Sequence, residues 1–412
     1  MTAQADCAPA QKRRAGPSPL VLHMAMARWQ YAGAQAGLGQ FLHSGALPGM
    51  DDMSAAQWSA DFGDIEPALI SAALGDYCAA RLKRFLAGVE GYQTHPFVRP
   101  SPQRPVAARA EGAVARDCGG AGPPVLLVPS LINPSWVLDL LPGRSFADAL
   151  SGGSKNRVFL VDWGTPQAAQ SRYRLEDYVM RQLVPLLRTL AGRHGPVHLA
   201  GYCLGGNLAL AAALQAPDAV RSLTAIATPW DFAAMGTPAR TLVRETQRQL
   251  APVLARKGLM PAEALQALFA QLDPTQMERK FHDFALLDAN NPDHRRQMEH
   301  FIAVEDWSNS GPPLAASAAQ DCMTHFYHEN APCERAWRVQ GHAVDPSALS
   351  CPSLVLTALK DKIVPPASTR ALAQQTPGST LMEVDAGHVG MMVGSRARAL
   401  CWEPVIEWLA EH

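Results

Sequence analysis

The chain is predicted to adopt an α/β fold: a mostly parallel sheet with helices on both faces, a helical cap inserted late, and a helical N-terminal extension. Three observations predict it. Four short apolar runs, each closed by a turn, alternate with helix-like stretches between residues 123 and 229. Strand rhythm stops over residues 230–345 and resumes at 353. A hydrophobic content of 48 % with only 18 % charged residues gives this 412-residue chain enough apolar mass for a large core.

Taken in order, residues 1–115 carry helical patterns and no convincing strand, and they are read as a helical extension and linker. Lys12, Arg13 and Arg14 precede an apolar stretch from Pro19 to Ala27, loosely like an export signal. His23 interrupts that stretch and Arg28 ends it, so the reading is a tail running into a helix. Leu69 to Leu86 has the spacing of an amphipathic helix. Pro96, Pro100, Pro102 and Pro105 mark a linker, because proline suits neither helix interior nor central strand.

Residues 116–229 are read as the first half of the α/β core. Its strands are Val125–Val128, Val158–Val161, Val197–Ala200 and Leu223–Ala227, with a helix over Leu175 to Leu190. Short continuous apolar runs fit strands buried on both faces, which implies a parallel sheet with right-handed crossovers. Residues 230–345 are helix-like and rich in Met, Phe, Trp and His, and form the predicted cap. Residues 346–412 return to the core, with strands at Ser353–Thr357 and Leu381–Val384 and a closing helix from Ala397 to Ala410.

Several functional classes are excluded at this level. Lys plus Arg is 36 and Asp plus Glu is 37, so no polyanion such as nucleic acid is an expected partner. The eight cysteines are scattered, Cys7 first among them, with no C-x-x-C pair, which argues against a disulfide scaffold or a cysteine zinc site. The histidines of the cap, including His282, His294, His300, His325 and His328, form no metal motif, and no metal or other cofactor is expected. No run reaches the ~18 apolar residues of a membrane helix. A cytoplasmic location with free thiols is the expectation.

The strongest chemical signal is Gly201-Tyr202-Cys203-Leu204-Gly205-Gly206, between a predicted strand and a predicted helix starting at Asn207. That context is the nucleophile elbow of α/β hydrolases, in which a sharp turn presents one side chain at its tip. Here the tip is Cys203. A helix N-terminus favours its thiolate, and the Leu204 N–H would face a developing oxyanion. An acid and then a histidine must follow in chain order. Asp361 and His388 each lie in a loop just after a predicted strand, in that order. Asp385 is the rival acid. A second oxyanion donor is expected from the loop after the first core strand, at Leu131 or Ile132, with Asn133 pinning the loop. His198, inside the strand before the elbow, is read as packed.

These motifs resemble the polyhydroxyalkanoate synthases. The block Val128-Pro129-Ser130-Leu131-Ile132-Asn133, then Val137-Leu138-Asp139-Leu140-Leu141-Pro142 and Ser145, is similar to that family's first core segment. Phe159 to Gly164 is similar to its next strand, and the Cys203 box to its G-x-C-x-G-G motif. Lys360-Asp361 with Ile363-Val364-Pro365, and Gly387-His388-Val389-Gly390, resemble its acid and histidine motifs. Glu305-Asp306-Trp307 and Phe326-Tyr327 look like its two-subunit branch. The resemblance spans residues 123–412 and departs from the family at Lys362, where histidine is common. Residues 1–115 are unlike the tryptophan-rich N-domain of the single-subunit synthases, and longer than the N-terminus usual in the two-subunit branch.

The resemblance implies an α/β-hydrolase fold and an acyltransferase that polymerises 3-hydroxyacyl-CoA into polyester. It implies a partner that is either a second synthase subunit or another copy of the chain, and a place at the surface of polyester granules. A thiol suits that task on chemical grounds, since exchange of one thioester for another keeps the acyl group activated. Two alternatives stand beside it. One is a hydrolase on the same triad, either a polyester depolymerase or an acyl-CoA thioesterase, because water and a hydroxyl compete for the same acyl-enzyme. The other is a non-enzymatic granule or subunit-binding protein. The cap aromatics Phe281, Phe284, Phe301, Trp307, Phe326 and Tyr327 lean toward a closed apolar site and hence transfer.

Overall fold

The computed structural model describes residues 13–44, 51–153 and 156–412. Cys7 and Lys12 of the sequence reading lie outside the described residues. The chain divides into two compact units, one within Met1–Val98 and Asp273–Glu305, the other Arg99–Leu272 with Asp306–His412.

The second, larger unit is built on an eight-stranded sheet. Its strands are β1 (Val106–Ala110), β2 (Ala113–Gly119), β3 (Pro124–Val128), β4 (Arg157–Asp162), β5 (Val197–Tyr202), β6 (Val220–Ile226), β7 (Ser353–Ala358) and β8 (Thr380–Val384). They lie side by side in the order β1-β2-β4-β3-β5-β6-β7-β8. β1 pairs antiparallel with β2, and β2 with β4, while every pair from β4 to β8 is parallel. All residues of β3, β5 and β7 are buried, as expected of strands covered on both faces.

The register brings the functional loops to one edge. Val128 of β3 sits beside Gly201 of β5, Tyr202 of β5 beside Ile226 of β6, Ile226 beside Leu356 of β7, and Ala358 of β7 beside Val384 of β8. The loops after β3, β5, β7 and β8 therefore all leave the carboxyl edge of the sheet, where open α/β sheets place their sites. The helix Leu204–Gln215 after β5 is buried from Leu204 to Ala213, and its small residues let it lie against the sheet.

The sheet starts earlier than the sequence suggests. The expectation of no strand within residues 1–115 is overturned by the β1–β2 hairpin, so the core begins before residue 116. The cause is composition: Val106-Ala-Ala-Arg-Ala110 and Ala113-Val-Ala-Arg-Asp117 are alanine- and arginine-rich, with little β propensity of their own. Pairing with β4 supplies what the residues do not.

The predicted cap is also divided. Helices Gly236–Lys257 and Ala262–Ala270 belong to the larger unit, with Ala316–Asp321 and the π-helical turn Cys322–His328 that continues it. Gly258 ends the long helix in the left-handed conformation at φ 68°, the usual glycine cap. Residues 273–305 instead group with the N-terminal helices.

That smaller unit contains the helices Leu20–Ser44, Asp52–Phe62, Pro67–Thr94 and Gln276–Phe284 and most of Pro292–Asn309. The stretch weighed as an export signal is the start of the first helix, with His23 and Ala27 buried. Phe85, Tyr92, Phe281, Phe284 and Ile302 form the unit's core, and Phe301 packs on it. Phe281, Phe284 and Phe301, named among the cap aromatics, are core residues of this unit. Gly88 permits the closest approach, since a Cβ there would stand 1.9 Å from the Phe281 carbonyl oxygen. Glu278 is buried, and Arg81 meets it through two nitrogens at 3.1 and 3.0 Å while Tyr31 donates its hydroxyl to the same carboxylate.

Candidate active site

The elbow at Cys203 is locally strained. Cys203 has φ 56° and ψ −131°, a backbone conformation an L-residue holds at a cost of about 1–3 kcal/mol. Its neighbours hold it there. The Cys203 N–H donates to the Ile226 carbonyl at 2.9 Å, and the Gly206 N–H donates to the Cys203 carbonyl at 2.9 Å. A Cβ at Gly205 would stand 2.1 Å from the Val128 carbonyl oxygen, and one at Gly206 1.8 Å from Thr228 Oγ1. The glycines thus let the helix start press against β3 and the segment just after β6, which leaves the thiol at the tip of the turn. Asn207 secures the first helical turn by donating to the Pro229 carbonyl at 2.7 Å.

Asp361 and His388 form a buried pair, His388 Nδ1 lying 2.6 Å from Asp361 Oδ2. The other carboxylate oxygen accepts from the Ile363 and Val364 N–H groups, both at 2.8 Å. Those bonds fix the carboxylate's orientation, and hence the imidazole nitrogen it meets. The Cys203 side chain lies close enough to His388 to act on its titration. Tyr202 supports the histidine from below: its ring centroid is 5.2 Å from the imidazole, and its hydroxyl donates to the His388 carbonyl at 3.1 Å. Burial disfavours protonation of His388, but the Cys203 charge and the Asp361 hydrogen bond outweigh it and raise the imidazole to about 10. The site therefore favours the protonated imidazole.

Asp385 plays no part in this arrangement. Its carboxylate meets Lys360 Nζ at 2.7 Å and Arg396 at 3.4 Å. His198 is buried in β5, 2.7 Å from Ser222 Oγ. His325 lies 2.7 Å from Glu329 on the surface of the π-helical turn.

The loop after β3 is held from outside. Trp163 Nε1 donates to the Pro129 carbonyl at 3.0 Å, and Trp307 Nε1 to the Pro134 carbonyl at 2.9 Å. Gly311 leaves room for the segment between, where a Cβ would stand 2.7 Å from the Ile132 carbonyl oxygen and 3.1 Å from Asn133 Oδ1. Of the candidate donors, Leu204 opens its helix, so its N–H is one of the four without an intrahelical acceptor. The Ile132 N–H makes a long contact of 3.4 Å to Ser130 Oγ, and Leu131 is buried.

An apolar cleft adjoins the acid loop, lined by Met235, Leu242, Phe269, Tyr327, Ile363 and Pro365 among others, with Lys362 at its wall. Tyr327 and Cys322, both on the π-helical turn, lie close enough to Cys203 to feel its charge, and burial together with that charge raises both groups. Tyr202, Trp163 and the Ile363 and Val364 amides were not singled out in the sequence. Tyr202 stood inside the elbow motif, but its partner is 186 residues away, and nothing local announces such a contact.

A profile of the alpha/beta hydrolase fold matches residues 123–395. The chain is 30 % identical over 295 residues to the poly(3-hydroxyalkanoate) polymerase subunit PhaC of Allochromatium vinosum, covering 70 % of this chain and 81 % of that protein. It is 28 % identical over 294 residues to the protein of the same name from Haloferax mediterranei, covering 70 % of this chain and 59 % of the relative's length. An esterase structure from Thermogutta terrifontis is similar over 75 % of this chain and 99 % of that one, with a TM-score of 0.49 and 23 % identity.

Proposed function

The chain belongs to the poly(3-hydroxyalkanoate) polymerase family, built on an α/β-hydrolase fold, and from that premise we propose that it transfers 3-hydroxyacyl groups from CoA to a growing polyester through a Cys203 thioester. The observation that carries the proposal is a thiol, rather than a hydroxyl, on the strained elbow beside the buried His388–Asp361 pair.

His388 takes the thiol proton, and the thiolate attacks the thioester carbonyl of the donor. The carbonyl oxygen becomes an oxyanion, met by the Leu204 N–H and by an N–H of the Leu131–Ile132 loop; one such donor is worth ~10²–10³ in rate. The intermediate collapses, CoA leaves with the proton from His388, and a new thioester remains on Cys203. His388 then deprotonates the hydroxyl of the acceptor, which attacks that thioester and frees the thiol. Asp361 holds the imidazole tautomer and balances the imidazolium in both halves. The first half exchanges one thioester for another at little free-energy change. The second converts a thioester into an ester, which drives the polymer forward.

The same acyl-enzyme hydrolyses if water reaches it, which is the depolymerase or thioesterase alternative. The apolar lining beside Ile363 and Pro365 favours transfer, because it disfavours water near the acyl group. A second synthase subunit or another copy of this chain is the proposed partner, in keeping with the relatives' description as subunits. Action in the cytoplasm, at the surface of polyester granules, is part of the same reading. Among the described residues no helix is long and apolar enough to cross a membrane.

The test is incubation of the purified protein with 3-hydroxybutyryl-CoA, alone and with a candidate subunit, following both CoA release and product. Polyester formation that is lost in Cys203→Ala and kept in Cys322→Ala is the expected result. Free 3-hydroxy acid as the sole product would make the protein a hydrolase. Equal turnover by Cys203→Ala and the parent would remove the covalent mechanism.

A further inference from the structure

A second cleft in the larger unit has the opposite chemistry to the one beside Asp361. It encloses about 580 Å³ at the carboxyl end of the helix Gly236–Lys257. Arg172, Arg256 and Lys257 line it together with Ser171, Gln247 and Ser317, and no Asp or Glu does. None of the three cations forms an ion pair with a described residue. The neighbouring carboxylate, Asp321, is already engaged by Arg174 at 2.7 Å and by the Leu175 N–H at 3.0 Å. Such a cluster repels itself, and an anion relieves the repulsion.

The walls are tied together and tied to the site. The Ala316 N–H donates to the Gly258 carbonyl at 3.0 Å, joining the two helix ends that meet at the cleft. Gln247 lines the cleft and donates to Thr324 Oγ1 at 2.6 Å. Thr324 lies on the same π-helical turn as Cys322 and Tyr327, both of which feel the Cys203 charge. The helix Gly236–Lys257 carries both clefts: Leu242 and Val243 face the apolar one, and Gln247 to Lys257 the basic one. From Val243 to Lys257 along that helix is about 21 Å. One element therefore presents an apolar surface beside the triad and a cationic surface some turns away. The donor has the same polarity, with a reacting acyl thioester at one end, a pantetheine arm, and phosphates at the other.

We propose that Arg172, Arg256 and Lys257 bind the phosphates of the acyl-CoA donor. This rests on the acyl-transfer reading above, and it assigns these cations to donor affinity rather than to chemistry. The sidedness gives a measurable signature: recognition of CoA depends on salt and on these cations, whereas recognition of a donor lacking phosphates depends on neither.

The experiment compares the parent with Arg256→Gln combined with Lys257→Gln. Steady-state kinetics are run with 3-hydroxybutyryl-CoA and with 3-hydroxybutyryl-pantetheine, and binding of free CoA, pantetheine and inorganic phosphate is followed by calorimetry. The expected result is a rise of about tenfold or more in KM for the CoA donor and in Kd for CoA, with kcat and the pantetheine KM unchanged. An unchanged CoA Kd, or an equal rise in KM for both donors, would overturn the assignment. Inorganic phosphate binding as tightly as CoA would also overturn it, leaving a free-anion site. If the parent turns over neither thioester even with a candidate subunit present, the acyl-transfer reading fails, and the CoA Kd still decides the cleft.

Discussion

Each unit of the molecule contains buried carboxylates held by cations, and two of them, Glu278 and Asp361, are put together differently. In the helical unit, Glu278 receives two guanidinium nitrogens from Arg81 and the Tyr31 hydroxyl. In the sheet unit, Asp361 receives two backbone amides and the His388 imidazole. Both are well satisfied, and burial alone does not separate them. The first arrangement is closed, since an arginine cannot give up its proton. The second is open at one end, because the imidazole has a further nitrogen and a thiol on strained backbone lies close to it. A buried ion pair marks chemistry only when one member still has a proton to exchange and something reactive to exchange it with.

That contrast can be broken in order of expected effect. Asp361→Asn should leave the fold in place and lower kcat by about 10⁴, because the amide holds the wrong imidazole tautomer. A decrease of less than tenfold in single-turnover acylation would place Asp361 with Glu278 as a structural carboxylate. Arg81→Met should instead appear in stability. It strands the buried Glu278 charge and should cost the helical unit about 3–5 kcal/mol in urea denaturation. A double variant, Arg81→Met with Glu278→Leu, should recover much of that loss, since the uncompensated charge is gone.

The next effect is a titration. His388 is held up at about 10, chiefly by the Cys203 charge and the Asp361 hydrogen bond working against burial. The parent imidazole should therefore stay protonated through neutral pH and lose its proton only as pH rises toward that value. In Cys203→Ala the Cys203 contribution is absent while burial persists, so the midpoint should fall. Nitrogen NMR of labelled histidine reads both, and identical midpoints in the two proteins would separate the thiol from the imidazole. The smallest effect concerns the backbone. Cys203→Gly relieves the left-handed strain that Cys203→Ala retains, and the two lack the same thiol. The glycine variant should melt higher, by an amount equivalent to about 1–3 kcal/mol less what glycine loses in chain entropy.

The same comparison explains what could be read beforehand. The elbow was legible because local sequence writes it: a strand, close-packed glycines and a helix leave one place for the tip. Asp361 and His388 were legible by their order after strands, and the register places those strand ends level. The β1–β2 hairpin was missed because its alanines are strand only by virtue of β4. That residues 273–305 pack with the N-terminal helices was not readable, because membership in a core depends on partners such as Phe85 and Tyr92, which lie far off in the chain. Helical character was readable in that segment, but its destination was not. Asp385 was the rival loop carboxylate, disfavoured because the Asp361 loop follows the earlier strand; His388 meets Asp361, and Asp385 meets Lys360 and Arg396.

The segment between Pro129 and Pro134 separates two properties that usually travel together. Indoles grip its carbonyls at both ends, so it is anchored by side chains from outside and not by a ladder of its own amides. Its order parameters should be as high as those of the sheet. Its amide protons, lacking strong intramolecular acceptors, should nevertheless exchange with solvent faster than those of β3 beside it. Rigidity without protection is what an anion-receiving loop requires: the amides stay in position and are not yet spent.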